Sequence, residues 1–477
     1  MYKVVIGLEV HCELDTKTKN FSSAPNFFTE AHNTNVATVD LGLPGILPVA
    51  NKEAVRRSLL TAMALHCKTP DEVIFDRKNY YYPDLPKGYQ ITQNTKPMGI
   101  NGYLDILVDG KVKRVAIHDL HLEEDTASLE HYPKYSLIDY NRSGIPLMEI
   151  VTEPCLSSAD EAVTFLEDLR DVFLYLGVSE AKSNYGQMRC DVNISLMKDT
   201  DTKLGTKVEM KNINAFTNVR AAIEYEIKRQ SELLNKGEKV IQETRRIAED
   251  GKTYPMRKKV DAIDYKYFIE PNIPSTPVTD DMLYELKNNL PELKLDRYFK
   301  YTEKYNISDY DAEILSKNRE IADYFEKVIE NSDIELSVNF VTTTILSIIN
   351  KLNIRANELF ITPNMLTGVI NYVKSGKMSI DAANKLIYKA LDEKIDPNEL
   401  IKKESLVQIN DKEKLLELIN ACMQDNSEIV RQYVEDDNKG AINFFIGQVM
   451  KRSNRQANPN ISRELIIKEL ERRKNNG

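Results

Sequence analysis

Acidic and imidazole side chains recur at alternate positions in the N-terminal half of the chain. In residues 4–14, Gly7, Glu9, His11 and Glu13 alternate with Val4, Ile6, Leu8, Val10, Cys12 and Leu14. HLEED at 121–125 sets His121, Glu123 and Asp125 on one side, and Leu122 and Glu124 on the other. Glu149 interrupts the apolar run 147–151 between Met148 and Ile150. Arg189, Asp191 and Asn193 alternate with Cys190, Val192 and Ile194, and Glu209 and Lys211 flank Met210. A charge within an apolar extended run is costly to bury without a partner. Two carboxylates about 4 Å apart repel by about 4 kcal/mol at an effective dielectric near 20. A convergent set therefore takes up protons or a cation. Magnesium is the usual cation where phosphate is handled. His11 is an unusual magnesium ligand, because that ion prefers oxygen. It either stands behind the ligands or belongs to a site with manganese-like chemistry. The plainer reading of each pattern is a solvated strand face. The two readings differ in whether the strands share one sheet.

A second chemical stretch is DRKNYYYPDLPKGYQITQ at 76–93. Arg77 and Lys78 precede Tyr80, Tyr81 and Tyr82, and Pro83 and Pro86 deny the segment a helix. Gly88 permits a sharp bend. The expectation is an irregular loop whose cations and rings suit an anionic, planar ligand. The alternative is a solvated surface loop.

The elements that must position these groups are legible from periodicity. Period-two patterns over 4–14, 147–151, 189–196 and 207–212 predict strands. Residues 158–176 begin with a Ser cap and early acids. They repeat Leu166, Leu169, Phe173 and Leu176, and Gly177 closes the helix. A second helix is predicted over 218–235, with Gly237 as its stop, and a hairpin over 240–255 turning at Asp250-Gly251. From about 291 the chain reads as helical, with start signals at Thr362-Pro363 and Asp396-Pro397, and Gly376 and Gly440 as punctuation. The class is α+β. The expected divisions are a cradle of antiparallel strands over 1–290, a helical domain over 291–400 and a small helical tail over 401–477.

Composition narrows the function. The 477 residues are 42% hydrophobic and 29% charged, typical of a soluble globular protein of several domains. Five scattered cysteines without a CxxC pair support neither a disulfide framework nor a cysteine zinc site, and a reducing cytoplasm fits them best. The N-terminal stretch lacks a signal-peptide core, and no apolar run approaches a membrane span. A net charge of −9 argues against nucleic-acid binding over the whole surface. The C-terminal stretch from 447 is nevertheless rich in Lys and Arg, either a solvated helix face or a phosphate-backbone contact. There is no GxxxxGK[ST] loop, no GxGxxG opening a helix and no HExxH. No amidase-like Gly-Ser-Ser stretch is visible, and Cys12 is not an N-terminal nucleophile, since Tyr occupies position 2. If the reaction needs ammonia from glutamine, another chain must supply it.

Read in order, GLEVH, GLPGILPVAN at 42–51, the 76–93 stretch, HLEED, NRSGIPLMEIV at 141–151, MRCDVNIS at 188–195, EMKNIN at 209–214, QETRR at 242–246 and QANP at 456–459 resemble the B-subunit family of bacterial aspartyl/glutamyl-tRNA amidotransferases. The resemblance runs over essentially the whole chain. It implies ATP-dependent phosphorylation of the side-chain carboxylate of a misacylated tRNA, Glu-tRNA(Gln) or Asp-tRNA(Asn). Amidation then follows with ammonia from the amidase (A) partner, in an assembly held by a small third (C) partner. It implies ATP and magnesium as cofactors, with Glu9, His11, Glu124 and Glu149 at the metal positions. Glu124 falls on the non-His side of its strand, which a bulge or a strand end would reconcile. Lys78 and Asp191 complete the implied catalytic set. Asp191 and Glu123 are candidates for a second metal or an ammonia path. Arg77, Lys78, Lys87, Arg189 and Lys211 are candidate phosphate or carboxylate clamps. In the tail, Lys451, Arg452, Arg455 and Asn458 are candidate RNA contacts. Many relatives carry a four-cysteine zinc site where this chain has Ser22, Ala24, Ala37 and Asp40, so no zinc is expected. Arg455 replaces the usual Gly before the QANP motif. A reading of another class is a non-catalytic tRNA-binding scaffold for an amidase; a third is a stand-alone magnesium phosphotransferase.

Overall fold

The structure, a computed structural model, describes residues 2–198, 200–258, 264–403, 411–436, 438–453 and 456–476. The chain forms two compact units, Met1–Asp296 and Arg297–Gly477.

The first unit is built on one eight-stranded sheet. Its strands are β1 (Tyr2–Glu13), β2 (Gly99–Val108), β3 (Lys111–Glu124), β4 (Pro146–Thr152), β5 (Met188–Lys198), β6 (Val208–Ile213), β7 (Glu243–Ile247) and β8 (Thr253–Lys258). They lie in the order β8-β7-β6-β5-β1-β4-β3-β2. The alternation of β1 does what strand geometry requires. Ile6, Leu8, Val10 and Cys12 are fully buried in the core, while Glu9, His11 and Glu13 occupy the opposite face. Three helices cover that core. Helix α1 (Lys52–Ala64) has no counterpart in the sequence reading; Asn51 caps it by accepting from the Glu53 and Ala54 amides. Helix α2 (Ala159–Leu176) packs Phe165, Leu166, Leu169 and Phe173 into the same core. Its start is set by the Ser158 hydroxyl, which accepts from the Glu161 amide, and its end by Gly177 at φ 64°. Helix α3 (Phe216–Asn235) adds Val219, Ala222 and Ile223. With helices on the apolar face, the other face is left for polar groups.

Two further features depart from the sequence reading. The sheet is mixed, because β6 and β7 pair in parallel while the other pairs are antiparallel. Residues 76–93 are not wholly irregular: Asp76–Asn79 and Tyr89–Thr92 pair antiparallel, with Pro83, Pro86 and Gly88 in the connection. The β-forming Tyr89, Ile91 and Thr92 outweigh the prolines, which are tolerated outside the ladder.

The second unit is helical throughout its described residues. Its buried side chains form two cores. One, over 301–401, includes Tyr301, Phe325, Phe340 and Ile387. The other, over 415–470, includes Ile419, Phe445 and Leu470. Thr362 caps the helix Pro363–Lys374, with proline in its first turn. Gly440 opens the helix Gly440–Arg452 rather than ending one.

Candidate active site

Strand register assembles the polar face. On the antiparallel ladders, Glu149 of β4 stands opposite His11 of β1 and His121 of β3. Glu149 Oε2 lies 3.2 Å from His11 Nε2 and 3.3 Å from His121 Nε2. His121 Nδ1 is 2.8 Å from Asp119 Oδ1, which fixes the ring. Two residues along β3, Glu123 reaches the same place, and ligand atoms of His11, Glu123 and Glu149 all lie within 4.8 Å of one another. A second group forms beside it. Glu9 pairs with Asp191 of β5, and Glu209 of β6 joins them within the same 4.8 Å span. The ladder between β5 and β6 shifts register between Cys190 and Val192, and Asn212 adopts φ 56°. The Asn212 amide thereby donates to Asp191 Oδ1 at 2.8 Å. Lys211 Nζ lies 3.0 Å from Asp191 Oδ2 and 3.4 Å from Glu209 Oε1, and Asn193 Nδ2 donates to Glu9 Oε1 at 3.0 Å.

Packing acids together moves their protonation in opposite directions. Burial raises the Glu149 carboxyl, but contact with His121 and His11 outweighs it and holds Glu149 well below the usual carboxylate range. Glu123 is pushed up by burial and by Glu149, despite Lys78 and His121 nearby. Glu9 is raised by burial and by Glu149. Burial pulls both His11 and His121 down, yet Glu149 and its neighbours lift them above the ordinary imidazole value. Divergent shifts of this kind cluster at functional sites, though structural ion-pair networks also produce them.

His11, Glu123 and Asp191 line one cavity of about 470 Å³ together with Arg142, Arg189 and Lys211. Asp125 Oδ2 accepts from Arg189 Nη2 at 2.8 Å and orients that guanidinium, while Arg142 donates from Nε to the Thr126 carbonyl at 2.8 Å and from Nη2 to the Ala127 carbonyl at 3.2 Å. Lys78 is half-buried near Glu123 and Glu149. Burial lowers its ammonium, and Glu123, Tyr267 and Glu149 together outweigh that and raise it above the ordinary lysine value.

Other expected residues are elsewhere. Glu124 does not share the His11–Glu149 group among the described residues. Strand alternation turns it to the other face at the end of β3, with no bulge at that point to return it. There Glu124 Oε1 accepts from the Ile91 amide at 2.9 Å, and Oε2 from Lys87 Nζ at 2.7 Å. Lys87 is thereby committed to a buried ion pair instead of the cavity. Arg77 is likewise engaged: it grips the fully buried Glu270 with two donors and lies 4.1 Å from the Tyr89 ring centroid. Missed by sequence reasoning were Glu209 as a member of the second group, His121 as a partner of Glu149, and Arg142 on the cavity wall. The alternation signal was present at Glu209 and His121; their partners depended on pairing and register.

In the second unit Lys451 and Arg452 are exposed, and Arg452 Nη1 lies 2.5 Å from Asp425 Oδ2. Asn458 Oδ1 accepts from the Asn460 amide at 3.0 Å, capping the helix Pro459–Asn476. Arg455 lies outside the described residues. At the positions where no zinc is expected, Asp40 Oδ2 accepts from the Ser22 hydroxyl at 3.1 Å, the Ala37 amide at 2.8 Å and the buried Lys19 Nζ at 3.3 Å.

Known proteins agree with this chain along its length. Residues 4–284 match the family described as the GatB/GatE catalytic domain, and residues 323–470 match the GatB domain. The chain is 42% identical over 474 residues to the B subunit of the aspartyl/glutamyl-tRNA(Asn/Gln) amidotransferase of Staphylococcus saprophyticus, covering 99% of this chain and 100% of that one. It is 41% identical over 475 residues to the protein of the same name from Geobacillus thermodenitrificans, with the same coverage. The Staphylococcus aureus counterpart is 42% identical over 474 residues, again across 99% of this chain and the whole of its own. On these matches, and on a polar sheet face that lies within the matched catalytic domain, the chain belongs to the GatB family of amidotransferase B subunits.

Proposed function

We propose that this chain is the activating component of a glutamine-hydrolysing, tRNA-dependent amidotransferase, a carbon–nitrogen ligase. Its substrate is the side-chain carboxylate of glutamate on tRNA(Gln) or aspartate on tRNA(Asn). The observation that carries this reading is that members of both acid groups, His11 and Glu123 of one and Asp191 of the other, line one cavity with Arg142, Arg189 and Lys211. A carboxylate is a poor acyl donor until it carries a leaving group. In the first step its oxygen attacks the γ-phosphorus of ATP, the bond to the β-phosphate oxygen breaks, and ADP leaves. In the second, ammonia attacks the acyl carbon, the bond to the phosphate oxygen breaks, and a nitrogen-bound proton departs with phosphate.

Phosphoryl transfer asks for positioning and charge neutralisation more than covalent help. The all-oxygen set Glu9, Asp191 and Glu209 fits magnesium, and His11, Glu123 and Glu149 form a mixed set suited to magnesium or manganese. A divalent ion held there supplies positive charge against the transferring phosphate. Arg189, oriented by Asp125, Arg142, held by the Thr126 and Ala127 carbonyls, and Lys211 bind phosphate oxygens from the cavity wall. Lys78, beside Glu123 and Glu149, orients the substrate carboxylate.

Ammonia comes from a separate amidase (A) partner, with a small third (C) partner completing the heterotrimer. The basic helical tail, with Lys451, Arg452, Arg455 and Asn458, contacts the tRNA. The complex works in the cytoplasm; among the described residues no helix is long and apolar enough to cross a membrane. Reconstitution with the A and C partners and each misacylated tRNA, with and without ATP, tests the reading. Amidated tRNA is expected only with ATP. Amide formation that is indifferent to ATP overturns it.

A further inference from the structure

QETRR at 242–246 places no side chain on the cavity wall, yet its Glu243, Thr244 and Arg245 are all buried. The parallel pairing of β6 and β7 sets Thr244 directly across from Glu209. Thr244 Oγ1 donates to Glu209 Oε2 at 2.8 Å. Both residues are almost sealed from solvent, at 1% and 6% exposure, so water does not compete for this bond. Glu209 Oε1 is the oxygen near Lys211 Nζ, at 3.4 Å.

The strand that carries Thr244 is itself tied down. Arg245 Nε lies 3.1 Å from Oε1 of Glu226, a fully buried acid on α3, and Arg245 Nη2 donates to the Thr253 carbonyl at 2.7 Å. Arg229 Nη2 lies 2.8 Å from Glu226 Oε2, so the acid is held from two sides. A glutamate side chain turns about three bonds. A hydroxyl on a strand anchored in this way removes the last of those freedoms. Groups that orient metal ligands from behind typically contribute 10–100-fold in ion affinity.

We infer that Thr244 is a positioning residue for the Glu9–Asp191–Glu209 group, its hydroxyl setting the plane of the Glu209 carboxylate so that three acids from three strands meet one divalent ion. The inference rests on the proposal that this group holds such an ion. It also explains the buried QETRR segment, since Arg245 anchors β7 and Thr244 transmits that anchor to Glu209.

The test is Mn²⁺ binding to the assembled amidotransferase by electron paramagnetic resonance, with unfolding temperature recorded alongside. Thr244→Val keeps the shape and removes the hydroxyl; it should weaken one ion site by about 10–100-fold. Thr244→Ser restores the donor and should stay within about threefold of the parent. Activity of the valine variant should recover at saturating metal, which a merely structural defect does not do. Thr244→Ala gives the same reading if the valine variant does not assemble. Wild-type affinity in both hydroxyl-free variants overturns the inference, provided Glu209→Gln loses the site. If Glu209→Gln also binds as the parent does, the ion-site reading itself has failed.

Discussion

His11 and Glu149 face each other across one rung of the β1–β4 ladder, with Nε2 of the imidazole 3.2 Å from Oε2 of the carboxylate. Glu149 also lies 3.3 Å from His121 and shares its hollow with Glu123, so oxygen and nitrogen donors can meet one ion there once the imidazoles are neutral. Glu149→Gln keeps the shape and removes the charge. ATP-dependent activation of the charged tRNA should fall by at least about 100-fold, since even groups behind a ligand are worth 10–100-fold, while assembly with the partner proteins persists. Product formation and gel filtration of the variant complex check this. Full activity would remove Glu149 from the metal site.

Glu124, one residue beyond Glu123, should behave differently. Its carboxylate and the Lys87 ammonium are 2.7 Å apart and nearly sealed from solvent. Removing one partner of a buried pair costs about 3–5 kcal/mol. Lys87→Met should therefore destabilise the first unit, and Lys87→Met with Glu124→Gln should recover most of the loss. Chemical denaturation of the three proteins measures the coupling. Arg77→Ala should act in the same way through Glu270, lowering the unfolding midpoint with little change in KM for ATP.

Glu13 provides a pH test. Burial and the nearby Asp125 push its carboxyl up to about 7, against Arg189 and Arg142. Its folded pKa thus exceeds the ordinary value of 4.5, so the folded state holds the proton more tightly. Stability from this group is present below pH 4.5 and is lost as pH rises toward 7. Glu13→Gln cannot ionise. It should match the parent at about pH 4 and exceed it at about pH 8 by at most about 3.5 kcal/mol, each pKa unit being worth about 1.4 kcal/mol. Denaturation midpoints across this range give the answer; parallel curves would refute it.

The tail makes an electrostatic prediction. Lys451 is exposed on the helix Gly440–Arg452. Lys451→Glu should weaken tRNA binding and flatten the dependence of log affinity on log salt by roughly one unit, as loss of a phosphate contact does. Filter binding at several salt concentrations measures the slope. An unchanged slope would take Lys451 out of the RNA contact.

By itself the sequence determined which residues share a strand face, because alternation is a local property of extended backbone. It showed β1 with its acids and imidazole on one side, the Ser158-to-Gly177 helix, the hairpin at Asp250-Gly251 and the helical second half. It also placed Glu124 on the face away from His121, a geometry at odds with its expected metal role. Only the tertiary structure decided which faces meet. Pairing and register are set by contacts between segments far apart in the chain, and these put Glu123 beside Glu149, brought Glu209 to Glu9 and Asp191, and set Thr244 behind it. The same long-range contacts bound Arg77 to Glu270 and Lys87 to Glu124, two partners that no spacing within 76–93 reveals.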